Sequence, residues 1–151
     1  MNATTLMPSM MNVLIMIAAA VCAWLFGALW YGTLGKRWVE AQDTTVEEFK
    51  AKQAANPGML SGKMPFIIAL VAELIMAFVL YGIMKHVADA AALTVRNGLI
   101  SGAFVWFGFI LTSIAVNYAF SGRKTMLTVI DAGHWLGVTL IIGAILGAFA
   151  T

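Results

Sequence analysis

The stretch MLTVIDAGHWLGVTLIIGAILGAF, residues 126–149, decides how the chain is read. It exceeds the about 20 apolar residues needed to cross a bilayer, and it shows none of the alternation of a half-buried strand. An aspartate and a histidine, Asp131 and His134, interrupt it. Three further apolar stretches match its length, over residues 12–34, 65–84 and 98–120. The chain has 151 residues, 62% hydrophobic and 11% charged, with mean hydropathy +0.91. Soluble domains are nearer half apolar and a quarter charged, so the composition marks a membrane protein. A helix satisfies its own backbone groups in lipid, so the expected fold is all-α, one domain over 1–151, with four transmembrane helices in an antiparallel bundle.

The connections are unequal. Residues 121–125 join the third and fourth helices tightly, whereas residues 35–64 form a long loop. Within that loop TTVEEFKAKQAANPG predicts a short amphipathic helix. Thr44 and Thr45 each precede a glutamate by three, the capping-box spacing, and Asn56, Pro57 and Gly58 end the pattern. Val46 and Phe49 share a face, and a solvated spacer accounts for the segment best. Lys36, Arg37, Lys50, Lys52, Lys63, Arg123 and Lys124 lie on the side of the first and third loops, against Lys85 and Arg96 on the other. The positive-inside rule then places loops 35–64 and 121–125 in the cytoplasm of a bacterial cell and both termini outside the inner membrane. Net charge is only +2, with the basic residues in loops, so the expected surroundings are the lipid bilayer and not nucleic acid. The lone Cys22 excludes an internal disulfide and any multi-cysteine metal site.

Ionisable groups inside a span are costly in lipid and are functional candidates by default. Glu73, Asp131 and His134 are such groups. Glu73 and His134 each lie eight residues past the start of their stretch, so both are expected about 12 Å deep from the same side. Asp131 and His134 share a helix face, Thr128 continues it, and Asn117 lies at a similar level. The five are expected to face one polar space in the cytoplasmic half. That space either holds a small solute, a proton or a cation, or only fixes helix packing. One imidazole and two carboxylates are a thin donor set for a metal, and no cofactor is expected. Ser101, Ser113 and Ser121 show no pairing with His134 that would suggest hydrolysis, so no enzyme activity is expected.

Glycine supplies a second signal. Gly133, Gly137, Gly143 and Gly147 form two small-xxx-small pairs on the fourth helix, and Ala23, Gly27, Gly32 and Gly35 line the first. Such residues let membrane helices approach closely, within one bundle or in a homo-oligomer. Met7, Met10, Met11 and Met16 read as adaptable apolar packing rather than copper ligands.

Four strings in order, GALWYGTLGKRW, VWFGFI, NYAFSGRK and IDAGHWLG, resemble a bacterial family of small four-helix membrane proteins, the domain-of-unknown-function family DUF1761. The resemblance covers nearly the whole chain. It implies signature positions at Trp30, Tyr31, Trp106, Gly108, Asn117, Phe120, Gly122, Arg123, Asp131, Ala132 and Gly133, with tyrosine common in the family where this chain has His134. It implies fold and location but no activity. From the polar residues, the expected function is a transporter, channel or solute-binding protein, the alternative being a non-transporting structural or partner-binding protein.

Overall fold

The computed structural model describes residues 8–55, 62–87 and 93–151. All secondary structure among them is helical: α1 (Met10–Glu40), α2 (Val46–Ala55), α3 (Met64–Val87), α4 (Val95–Val105), a π-helical segment (Trp106–Leu111), α5 (Thr112–Phe120) and α6 (Thr125–Phe149). The chain runs from α4 through the π-helical segment into α5 as one span, Val95–Phe120. Four helices among the described residues are thus long and apolar enough to cross a membrane. The protein is an all-α membrane protein.

Local chemistry sets the ends. The Ser9 hydroxyl accepts from the Asn12 amide at 3.2 Å and starts α1. Thr94 does the same for Asn97 and starts α4. Between α5 and α6 the chain reverses at Gly122, whose φ of +62° a side chain would resist. Its N–H reaches the Ala119 carbonyl and that of Arg123 reaches Tyr118, the bond pair of a Schellman stop. The α2 start is a reciprocal capping box. Thr45 Oγ1 accepts from the Glu48 amide at 3.2 Å, and the Glu48 carboxylate accepts from the Thr45 amide at 3.1 Å. Thr44 instead donates to that carboxylate. No residue of α2 is buried, and Phe49 sets its ring edge-on to Trp38 at 5.5 Å. The expected stop at Asn56, Pro57 and Gly58 lies outside the described residues.

The central helix is α6. Half of its most apolar window is buried inside the protein, against 6% for the span Val95–Phe120. Contacts fix the directions. Trp30 Nε1 donates to the Ile130 carbonyl and Asn12 meets Thr151, so α1 runs antiparallel to α6. Trp24 Nε1 donates to the Phe66 carbonyl and Asn12 to Tyr81, so α3 runs antiparallel to α1. Gly98 faces Gly143 while Trp106 Nε1 donates to the Ala132 carbonyl, so α4 runs antiparallel to α6. The core is small and tight: Met16, Ala19, Ala20 and Ala23 of α1, Ala77, Leu80 and Met84 of α3, and Val138, Ile142 and Leu146 of α6. Large apolar side chains such as Leu29, Phe78 and Phe104 point outward, the inverse of a soluble domain and suited to lipid. Met16 joins the core, Met10 and Met11 are exposed, and Met7 lies outside the described residues.

The glycines hold the seams. Gly133 faces the Trp30 ring at 3.0 Å from the position a Cβ would take, and Gly137 faces Phe26. Gly143 lies against the Gly98 carbonyl, and a Cβ on Gly147 would come within 2.9 Å of the Val95 nitrogen. One glycine pair therefore serves α1 and the other serves α4. Gly27 faces His134, whereas Gly32 and Gly35 face open space.

Candidate functional site: two separated polar centres

The first centre lies at the end of the bundle that carries the 35–64 and 121–124 connections. Asp131, in the second turn of α6, is 7% exposed. Its Oδ1 accepts from Tyr31 Oη at 2.7 Å and from Trp38 Nε1 at 2.9 Å, and its Oδ2 accepts from Tyr118 Oη at 2.6 Å. Tyr31 and Trp38 are seven apart on α1, two turns along one face, so both reach the same carboxylate. Trp38 is within reach because α1 continues six residues past the apolar stretch, to Glu40. Tyr118 comes from the last turn of α5. The carboxylate thus joins α1, α5 and α6. All three donors are neutral. Neither Lys36–Glu40 nor Lys124–Asp43, two ion pairs near this end, includes Asp131. Hydrogen bonds to a charged acceptor are the strong kind, about 1.5–3 kcal/mol each, so this contact is a major tie between helices.

His134 lies one turn further in and is 5% exposed. Its imidazole stacks on Phe26 (6.1 Å between centroids, 7° between planes) and touches Tyr31 and Trp135, each at 4.9 Å. Gly27 makes the space: a Cβ there would lie 2.8 Å from Nε2. Nδ1 has no hydrogen-bond partner. Tyr31 bridges the pair, bonding Asp131 through its hydroxyl and packing on His134 through its ring.

The second centre is Glu73. It is 1% exposed, and its Oε2 has no hydrogen-bond partner. The expected meeting of Glu73 with Asp131 and His134 does not occur. Glu73 lies seven residues past Phe66, which is level with Trp24, and eight before Tyr81, which is level with Asn12. That sets it beside Ala19 and Ala20 of α1, whereas His134 packs on Phe26 and Gly27. The offset is seven or eight residues, about 11–12 Å along the bundle, so Glu73 is in the half nearer the termini. The cause is stagger: α3 begins where α1 has reached Trp24, so equal residue counts from the starts of α3 and α6 are not equal depths.

Asn117 is exposed and Thr128 half-buried, and neither supplies a bond to Asp131. The donors come instead from Tyr118, the next residue along from Asn117, and from the aromatic pair on α1. A third polar knot has no counterpart in the sequence reading. Asn12, 3% exposed, donates to Tyr81 Oη at 2.9 Å and to the Thr151 carbonyl at 2.8 Å, and accepts from the Thr151 amide at 3.0 Å. The signal was a lone asparagine at the edge of an apolar run, where its amide must be satisfied inside the protein. Among the described residues no three His, Cys, Asp or Glu side chains gather as a metal-holding group. The stagger keeps Glu73 out of any set with Asp131 and His134.

Four apolar spans around buried polar centres define a small polytopic helical membrane protein. The chain belongs to the family described as "Protein of unknown function (DUF1761)", whose model matches residues 14–147. No curated protein and no solved structure matches it. Several signature positions implied by the resemblance meet at the first centre. Tyr31 bonds Asp131, Trp106 bonds the Ala132 carbonyl, Trp30 packs on Gly133, and Gly122 makes the turn that brings Tyr118 alongside. Gly108, Asn117 and Phe120 are exposed and take no part.

Proposed function

We propose that this protein is a small transporter of a bacterial inner membrane and that Glu73 binds the transported or coupling ion. One observation carries the reading: a buried glutamate with an unpartnered oxygen inside an apolar span, level with Ala19 and Ala20 of α1. A charge there is unstable without a companion, so the residue takes up and gives back a positive species as its surroundings change. Seven basic residues on the side of the first and third connections against two on the other support cytoplasmic loops 35–64 and 121–125, with both termini outside.

The Asp131 centre has the opposite character, which favours the packing role for that part of the polar set. Its three donors occupy both oxygens and come from two other helical segments. The two roles therefore divide between the centres: ion binding at Glu73, helix registry at Asp131.

The test is reconstitution of the full chain in lipid vesicles with an imposed proton, Na⁺ or K⁺ gradient. The expected result is gradient dissipation above that of empty vesicles, abolished by Glu73→Gln. Absence of wild-type flux for all three ions would overturn the transporter reading.

A further inference from the structure

We propose that the species held by Glu73 is a proton, and that the packed bundle described above is the proton-loaded form. This deepens the reading of Glu73 as an ion site. It rests on what the surroundings can and cannot offer a cation.

Hard metal cations need about six or more oxygen ligands. By the register above Glu73 lies level with Ala19 and Ala20 of α1, within a bundle whose apolar core also takes Met16 and Ala23 of α1, Ala77 and Leu80 of α3, and Ile142 and Leu146 of α6. The buried hydroxyl of α6, Thr139, stands about one turn from Ile142 and donates to the Trp135 and Leu136 carbonyls of its own helix, and one hydroxyl falls far short of such a shell. The backbone carbonyls of these residues belong to continuous α-helices and are used within them; the π-helical break is in the other span, at Trp106–Leu111. The next hydroxyl along α3, Tyr81 Oη, is two turns away and already engaged with Asn12 and the Thr151 carbonyl. An organic cation would need room, but Ala19, Ala20, Ala23, Ala77 and Ile142 all have zero exposure. A proton needs one oxygen and no volume.

Among the described residues no other buried charged side chain lies at this level. Between Met10 and Trp30 of α1 the sole titratable residue is Cys22, which is exposed. On α6 none follows His134, which lies about 11–12 Å away by the register above. On α3, Lys85 and His86 stand twelve and thirteen residues beyond Glu73, about 18–20 Å along the helix. On α4, Arg96 lies within about two residues of this level, two before Gly98, but its side chain is exposed. The alternative to the proton is therefore an uncompensated carboxylate in a closed apolar core, which the packed bundle does not tolerate. Loss of the proton must let α3 part from α1 and α6 or admit water, and this makes Glu73 the point where proton occupancy and helix packing are coupled.

The experiment is infrared spectroscopy of the full chain in lipid vesicles at neutral pH, with the glutamate carboxyls ¹³C-labelled. The other glutamates, Glu40, Glu47 and Glu48, are exposed to solvent, so a protonated-acid carbonyl band of a desolvated carboxyl in labelled protein belongs to Glu73. The expected result is one such band, absent in Glu73→Gln and unchanged when choline is replaced by Na⁺, K⁺ or Mg²⁺. The labelling assigns the band in the native chain even if the variant fails to fold. No band at neutral pH, or a band removed by one of those cations, overturns the proposal. A persistent band in vesicles that pass no ion would retire the transporter reading and leave the proton site standing. Flux together with a cation-displaced band would do the reverse.

Discussion

Gly143→Ala tests the fold where it is tightest. The added methyl would stand 2.7 Å from the Gly98 carbonyl carbon and closer still to its oxygen. Carbon atoms prefer about 3.5–4.0 Å, so α4 and α6 must separate by roughly 1 Å at this crossing. No rotamer change relieves the clash, because the obstacle is backbone. The separation also loosens neighbours on the same seam, Gly147 against Thr94 and Gly102 against Thr139. Overpacking of this kind costs about 1–3 kcal/mol, and rigid neighbours put it at the upper end. The better helix propensity of alanine returns up to about 1 kcal/mol. A net loss of about 2 kcal/mol is expected, a factor of about 30 in the folding equilibrium. Gly137→Ala should cost less, because its obstacle is the Phe26 ring, which can rotate. Gly32→Ala and Gly35→Ala meet nothing within 4 Å and should be neutral or stabilising. Reversible unfolding in mixed micelles, followed by helix content, reads all four variants. Gly143→Ala as stable as the wild type, or the four variants alike, would refute close backbone contact between α4 and α6.

Asp131→Ala should destabilise by about 3–5 kcal/mol, because it strands three half-buried donors at once, while Tyr118→Phe should cost only about 1–2 kcal/mol; equal stability of Asp131→Ala and wild type in the same unfolding assay would remove the registry role. Glu48 gives a pH test outside the membrane: the Thr45 amide, and then the Thr44 hydroxyl, hold its carboxyl below the usual carboxylate range. A depressed folded value means that the cap contributes above the ordinary value and is lost as pH falls through the lowered one, so protection of the Thr45 and Glu48 amides should be lost only below the ordinary glutamate value. Exchange that rises already at the ordinary glutamate value would contradict the capping box. Fusions at Thr151 should be active with a periplasm-dependent reporter and silent with a cytoplasm-dependent one; the reverse pattern would invert the orientation.

The parts of the fold that were legible in the sequence depend on composition and on spacing within one helix. Four apolar stretches of membrane length, the capping box and the glycine pairs of α6 all carry their cause locally. Gly133 and Gly137 recur on one face because four residues return nearly to the same side of a helix, whatever that side meets. Which partner each pair meets was not legible: the direction of a face relative to a neighbour is a property of the assembled bundle.

The polar centres show the same boundary more sharply. Asp131 and His134 could be placed together because both are on α6. The donors of Asp131 could have been sought by asking which side chains at its own level can give a hydrogen bond, since a buried carboxylate cannot remain without them. That question leads to Tyr31 and Trp38 at the end of the first apolar stretch and to Tyr118 beside Asn117. Glu73 was misplaced for a different reason. Depth was counted from the start of each apolar stretch, which assumes that α3 and α6 enter the membrane level. The Trp24 bond to the Phe66 carbonyl and the Asn12 bond to Tyr81 show that they do not. The stagger separates a carboxyl that has no partner from one that has three. With that separation Glu73 gains no support from the Asp131 cluster, and the proton proposed for it rests on the apolar core at its own level alone.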